Sequence, residues 1–258
     1  MIPAWRDSKI VGFLFIAALL GVWELLATQV FAFISFPPVS SVLWRWGRFL
    51  GSFEVVEVLV PSLSRLAMGY VLAVALAVGV GLLMGYFRFV FNLLEPLVEF
   101  LRPIPTPALI PIAILFLGIE NRMKVFIIVF AAFWPILLNT YSGVRNVDPV
   151  FINTGRTFGL NRREILVQIV LPAASPYIVT GMRVSLAIAL ILVVIAEMVA
   201  GNDGIGYYIL DTQRTFRVRE MYAGVLTLAL LGYLLNRLFL AVESRVMAWN
   251  IEATRRAP

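Results

Sequence analysis

Six long apolar runs constrain this chain more than any other feature. They lie near Ile10–Ile34, Leu66–Tyr86, Leu97–Leu117, Val125–Tyr141, Tyr177–Val199 and Tyr222–Ala241. A helix needs about 20 apolar residues to cross about 30 Å of hydrocarbon, and backbone in that medium must satisfy its own hydrogen bonds. Helices are therefore the predicted state. Composition agrees, because 61% of the residues are hydrophobic and 14% are charged. A mean hydropathy of +0.92 leaves too little polar residue to cover a soluble surface. The fold class expected is an all-α integral membrane protein with six transmembrane helices. The first run is about 25 residues, longer than the 7–15 of a secretory signal, and no small-residue cleavage site closes it, so it reads as a retained first helix.

The missing residue types narrow the chemistry. The chain has no cysteine and no histidine, which excludes disulfides, thiol catalysis, histidine metal sites and Ser-His catalysis. A P-loop needs lysine directly after glycine, and neither lysine, Lys9 or Lys124, follows one. ATP is not expected to bind here by that route. The net charge of +6, carried by 19 arginines and two lysines, points to cytoplasmic loops and lipid headgroups rather than nucleic acid.

Six spans put both termini on one side. With the N-terminus cytoplasmic, the inner segments hold eleven basic residues: Arg6, Lys9, Arg88, Arg145, Arg156, Arg162, Arg163, Arg183, Arg245, Arg255 and Arg256. The outer segments then hold eight: Arg45, Arg48, Arg65, Arg122, Lys124, Arg214, Arg217 and Arg219. The difference favours cytoplasmic termini.

The third run is broken by "RPIPTPALIP", which places Pro103, Pro105, Pro107 and Pro111 within ten residues. Each proline removes a backbone donor and disfavours helix before it, so protein or a water-filled cavity must satisfy what is freed. A buried kink and a bend lining a transport pathway both fit. Charges inside the spans are costly and normally face protein or water. Glu197, near the outer end of the fifth span, fits a gate or a structural pair. Glu24 fits structural packing. After Glu197, "GNDGIGYYI" carries Gly204 and Gly206, which suit a re-entrant loop or an ordinary turn.

Between the fourth and fifth runs stands the polar segment "GRTFGLNRREILVQIVLP", Gly155–Pro172. Asp148 can cap a first short helix with Pro149 at its first position. Phe158 ends it, and Gly159 suits the left-handed residue that closes many helices. Asn161 and Glu164 have the spacing of a capping box for a second helix, which Pro172 is expected to stop. Phe158, Ile165, Leu166, Ile169 and Val170 fall roughly on one face. Arg162 and Arg163 sit in a first turn, where they oppose the helix dipole, which favours a docking role over local stability. An amphipathic helix on lipid is the plainer alternative.

The glycine, nine residues and Ile-x-Leu-Pro pattern at Gly159, Ile169, Leu171 and Pro172 resembles the cytoplasmic "EAA" loop of binding-protein-dependent ABC importer permeases. The Glu-Ala-Ala positions read Asn153, Thr154 and Gly155 here. "VWELLA", "FPPVSSVL", "LEPLVEFLRPIPTPALIPIAILFLGI", "PYIVTGMRVSLAIALILVVIAEMV" and "GIGYYI" resemble the nitrate/sulfonate/taurine branch, from about Val22 to Trp249. The resemblance implies a type I (MetI-like) permease of the bacterial inner membrane. Residues 1–60 would form the first helix and its extracytoplasmic connection, 61–249 a five-helix core with a cytoplasmic coupling loop at 145–176, and 250–258 a cytoplasmic tail. It implies no enzyme activity and no cofactor on this chain, with ATP and magnesium held by two cytoplasmic ABC ATPase subunits. A second permease copy, membrane lipid and an extracytoplasmic substrate-binding protein complete the partners. The ATPase-coupling residues it implies are Asn153, Thr154, Gly155, Phe158, Gly159, Arg162, Arg163, Ile165, Leu166, Ile169, Leu171 and Pro172. Pro103, Pro105, Pro107, Glu197, Gly204 and Gly206 are the pathway candidates. The solute would be a small anion of the nitrate, sulfonate or taurine kind. A self-contained secondary transporter or channel is the alternative, though such proteins more often carry inverted repeats or a carboxylate relay.

Overall fold

A computed structural model describes residues 9–30, 33 and 35–247. Arg6, Ile34 and the tail at 250–258 lie outside the described residues. In chain order the helices are α1 (Lys9–Leu25, continuing through a π-turn at Leu26–Val30), α2 (Val39–Leu50), α3 (Glu54–Tyr86) and α4 (Arg88–Leu101). A 3-10 turn at Thr106–Leu109 leads into α5 (Ile110–Leu117), followed by α6 (Asn121–Arg145), α7 (Pro149–Thr157) and α8 (Arg162–Ile165). A π-turn at Leu166–Val170 joins α8 to α9 (Leu171–Ala200), and α10 (Ile205–Arg214) and α11 (Val218–Val246) complete the order. Five helices are long and apolar enough to span a membrane, and α4 with the Thr106–Leu117 segment makes a sixth span bent by 88°. The bend falls at the proline run, which leaves residues 102–105 without helical pairing.

Close backbone approach organises the core. In hydrocarbon, helices gain little by excluding lipid, so small residues that let backbones touch hold bundles together. On α3, Gly69, Ala73, Ala77, Gly81 and Gly85 recur at every fourth position. A β-carbon added at Gly69 would lie 2.7 Å from Ile128 Cβ, at Gly81 2.7 Å from Thr140 Cβ, and at Gly85 2.5 Å from Val144 Cβ. The paired numbers rise together, so α3 and α6 run parallel. Helix α9 crosses α6 in the opposite sense, with Gly143 against Tyr177 and Gly181 against Asn139. Parallel neighbours need a return crossing between them, and the bent α4–α5 pair supplies it.

The remaining elements wrap this three-helix centre. Helix α2 lies on α11, where Trp46 Nε1 donates to Thr227 Oγ1 at 3.0 Å. Its fully buried Phe49 stacks on Tyr208 with ring centroids 5.0 Å apart. Glu24 closes the start of α2, its carboxylate accepting from Ser40 N at 3.0 Å and Ser40 Oγ at 2.7 Å. That intramembrane charge is a structural clasp between α1 and α2.

Three expectations change. Arg65 and Lys124 are not outer-loop residues: they lie within α3 and α6 and are 3% and 1% exposed. Pro172 does not stop a helix, because α8, the π-turn and α9 form one unbroken helix from Arg162 to Ala200. The π-turn makes this possible: Leu171 N reaches back to Leu166 O, and the widened turn relieves the clash of the proline ring with the preceding turn. Phe158 does not share the apolar face of Ile165 and Val170. They are buried, whereas Phe158 is 82% exposed, because Gly159 reverses the chain between them.

The α3 stripe yields a position-specific expectation. Gly81→Leu should force α3 from α6, at the cost of about 1–3 kcal/mol typical of overpacking, whereas Gly79, with open space around its α-carbon, should accept leucine. Heating detergent-solubilised protein and measuring the monodisperse fraction checks this: Gly81→Leu should aggregate at lower temperature than Gly79→Leu, which should match wild type.

Candidate functional site

Two sites lie at opposite ends of α9. The first is the polar segment after α6. Asp148 Oδ1 accepts from Val150 N at 2.8 Å, which caps α7, and Pro149 follows where a missing amide costs nothing. At its far end Leu160 N donates to Gly155 O and Gly159 N to Arg156 O, both at 3.0 Å. This paired pattern with a left-handed residue is a Schellman motif, and Gly159 has φ of +80°. Asn161 Oδ1 then accepts from Arg163 N and Glu164 N at 3.0 Å, while Glu164 Oε2 accepts from Asn161 N at 2.7 Å. The reciprocal bonds fix where the second helix begins.

The segment has an inner and an outer face. Gly155 is buried, and Ile169 Cδ1 would lie 2.5 Å from a β-carbon there, so glycine at this place lets the second helix cross close to the first. Ile165, Leu166 and Leu171 pack with Val144, Val147 and Val170 inside the chain. Asn153, Thr154, Phe158, Arg162 and Arg163 are exposed, as are Val150, Phe151 and Pro172. Among the candidates, the exposed group forms the outer surface of the segment, and Gly155, Ile165, Leu166, Ile169 and Leu171 lie beneath it.

The second site surrounds Glu197, which is completely buried. Arg65 Nη1 donates to Glu197 Oε1 at 2.7 Å, and Arg65 Nε donates to Asn121 Oδ1 at 2.7 Å. Arg65 Nη2 reaches Asp203 Oδ1 at 2.5 Å, and Lys124 Nζ lies 3.6 Å from the same oxygen. Ser62 Oγ lies within 2.9 Å of both Glu197 carboxylate oxygens and accepts from Ile205 N at 2.9 Å. Gly206 N donates to Glu197 Oε2 at 3.0 Å, so the carboxylate also caps the N-terminus of α10. Two cations and two carboxylates balance, and together they tie α3, α6, α9 and α10.

Glycine is required at the turn that feeds this knot. Gly204 has φ of +96°, and a β-carbon there would lie 2.4 Å from the Glu197 carboxylate. Both Gly204 and Gly206 are buried. Pro103, Pro105 and Pro107 lie exposed at the α4–α5 bend, and the segment after them packs with Leu192 and Ala196. The segment after the prolines thus packs on α9 beside Glu197, whose own partners lie on α3 and α10. Sequence reading missed Ser62, Arg65, Asn121, Lys124 and Asp203. The spacing of Ser62 and Arg65, and of Asn121 and Lys124, places each pair on one helix face, the available signal that each helix carries a polar patch.

Residues 69–248 match the family described as binding-protein-dependent transport system inner membrane component. A probable ABC transporter permease protein of Brucella abortus strain 2308 is 37% identical over 234 residues, covering 91% of this chain and 93% of its own. A nitrate import permease protein of Leptolyngbya laminosa is 31% identical over 237 residues, covering 89% and 84%. The taurine transport system permease protein of Escherichia coli K12 is 29% identical over 243 residues, covering 92% and 88%. Among solved structures, an inward-facing MetNI methionine ABC transporter gives a TM-score of 0.64 at 18% identity, covering 74% of this chain and 95% of that one.

The knot should behave as a unit. Removing one partner of a buried ion pair costs about 3–5 kcal/mol because the other charge stays buried. Glu197→Gln and Arg65→Gln should each lower thermal stability strongly. The double variant should fall well short of the sum of the two, a coupling that a double-mutant cycle measures.

Proposed function

Given that this chain belongs to the binding-protein-dependent transport system inner membrane component family of ABC importer permeases, we propose that it forms the translocation path for a small anion of the nitrate, sulfonate or taurine kind. A second copy of the chain completes the path, and an extracytoplasmic binding protein delivers the solute. Two ABC ATPase subunits dock at the polar segment between α6 and α9, hold ATP and magnesium, and drive the change between inward-open and outward-open states. The chain performs no chemistry on its solute. The side bearing this segment, toward which α11 ends, is cytoplasmic, and both termini lie there.

One observation carries this reading. The segment from Asp148 to Glu164 is fixed by a cap, a Schellman motif and a capping box, yet it leaves Phe151, Phe158, Arg162 and Arg163 exposed. Rigid geometry displaying aromatic and cationic side chains suits docking. The solute class rests on the relatives named for nitrate and taurine. Helix α9 leads from the docking segment to the Glu197 knot, which suits transmission of motion between the two sides.

The test is uptake in proteoliposomes holding the chain, its ATPase and its binding protein. ATP-dependent accumulation of nitrate, an alkyl sulfonate or taurine should require all three. ATP-independent uptake by this chain alone would instead mark a secondary transporter. In the same assay Gly159→Val has room for its side chain but strains the backbone by about 1–2 kcal/mol. It should insert at near-normal levels, yet lose most uptake and substrate-stimulated ATP hydrolysis. Arg162→Glu combined with Arg163→Glu should weaken ATPase association, with the largest effect at low salt.

A further inference from the structure

A cavity of about 840 Å³ opens at the coupling end of the chain, between the ends of α3 and α6 and the turn from α7 to α8. Arg145, Arg156 and Arg162 all line it. Among the described residues none of the three has a carboxylate within salt-bridge distance. The nearby acids are already engaged: Asp148 caps α7, and Glu164 closes the capping box. Arg145 lies over the Phe91 ring at 4.6 Å, and the nearest polar contact of Arg156 is Asn153 Oδ1 at 3.4 Å. Three arginines lining one cavity, none with a carboxylate partner, suit it to negative charge.

The surroundings specify which kind. Tyr86 and Phe87 form the rim where α3 ends, with their rings edge to face at 5.0 Å. Aromatic residues at the end of a spanning helix mark headgroup level. The floor is apolar, formed by Val144, Ile165 and Val170. Beside the rim, Phe89 and Leu93 of α4 are exposed one helical turn apart. A free phosphate would leave the apolar floor unfilled. A phosphate carried on glycerol meets the arginines with its charge and the floor with its glycerol, and its acyl chains find the exposed apolar side chains of α4.

We propose that this cavity binds the headgroup of an anionic phospholipid, with Arg145, Arg156 and Arg162 around its phosphate and the acyl chains leaving along Phe89 and Leu93. Basic pockets beside spanning helices on the cytoplasmic side take such headgroups by charge and hydrogen bonding together. The lipid bridges α7 to α3 and α6 and so becomes part of the scaffold that presents the docking segment. The site shares Arg162 with the proposed docking surface and its scaffold role rests on that reading, but the lipid preference itself is measured on the chain alone.

The experiment is native mass spectrometry of the full-length chain, delipidated in neutral detergent and titrated with phosphatidylglycerol or phosphatidylcholine. Wild type should retain one phosphatidylglycerol per chain at roughly tenfold lower concentration than phosphatidylcholine. Arg145→Gln with Arg156→Gln should lose that preference, Arg145→Lys with Arg156→Lys should keep part of it, and Arg48→Gln at the other end should leave it intact. The lysine pair guards against a folding artefact. Equal retention of the two lipids by wild type, or unchanged preference in the glutamine pair, overturns the proposal. So does full competition by glycerol phosphate, which marks a soluble phosphate site. Exclusion of the lipid when the ATPase is bound also overturns it and assigns the arginines to that subunit.

Discussion

The contact between α3 and α6 is the interaction on which the bundle rests. In water, two apolar helices associate because their contact removes surface from solvent. Lipid tails offer equal apolar company, so only better packing favours association. Five small residues spaced by four on α3 provide it, since they bring the backbone of one helix against the β-carbons of the next. The consequences spread outward. Because the two helices are parallel, a crossing must intervene, and the proline-broken α4–α5 pair fills that place, laying Ile110 and Ala113 of α5 against α6 and α9. Because α6 also meets α9 through Gly143 and Gly181, the three helices become a single slab with most other elements on its surface.

Packing of that kind has little directional preference along a helix axis. The charged cluster around Glu197 supplies what the slab lacks. A buried ion pair is weak evidence for stability, because desolvation offsets attraction. It is demanding about geometry, however. Arg65 can satisfy Glu197, Asn121 and Asp203 together only with α3, α6 and α9 at one height, and Gly204 must stand back for the carboxylate to fit. The centre thus has an adhesive part and a part that sets register.

Local chemistry was legible from the sequence. The spans, the cap at Asp148, the left-handed Gly159, the capping box at Asn161 and the break at the proline run each depend on residues within a few positions, and the structure has them where the spacing placed them. What escaped depends on distance along the chain. Arg65 and Lys124 read as loop cations because they stand at the edges of apolar runs, and their partners lie far away, Glu197 being 132 residues from Arg65. Pro172 read as a stop because the rule for proline in an α-helix takes no account of a π-turn ahead of it. The face shared by Ile165 and Val170 was recognised, but only the fold decides that it turns inward and leaves Phe158 outside. The stripe on α3, a period of four in small residues, went unread, because an apolar run was taken only for its length.

The unbroken helix from Arg162 to Ala200 has a mechanical consequence. Near 1.5 Å per residue, the 35 positions between Arg162 and Glu197 make a rod about 50 Å long. A stiff rod works as a lever: turning it about one end by about 5° sweeps the other through about 4 Å. The contacts at Glu197 span no more than 3.0 Å. A small angular displacement at the Arg162 end, carried along this helix, is therefore large on the scale of the joint at Glu197.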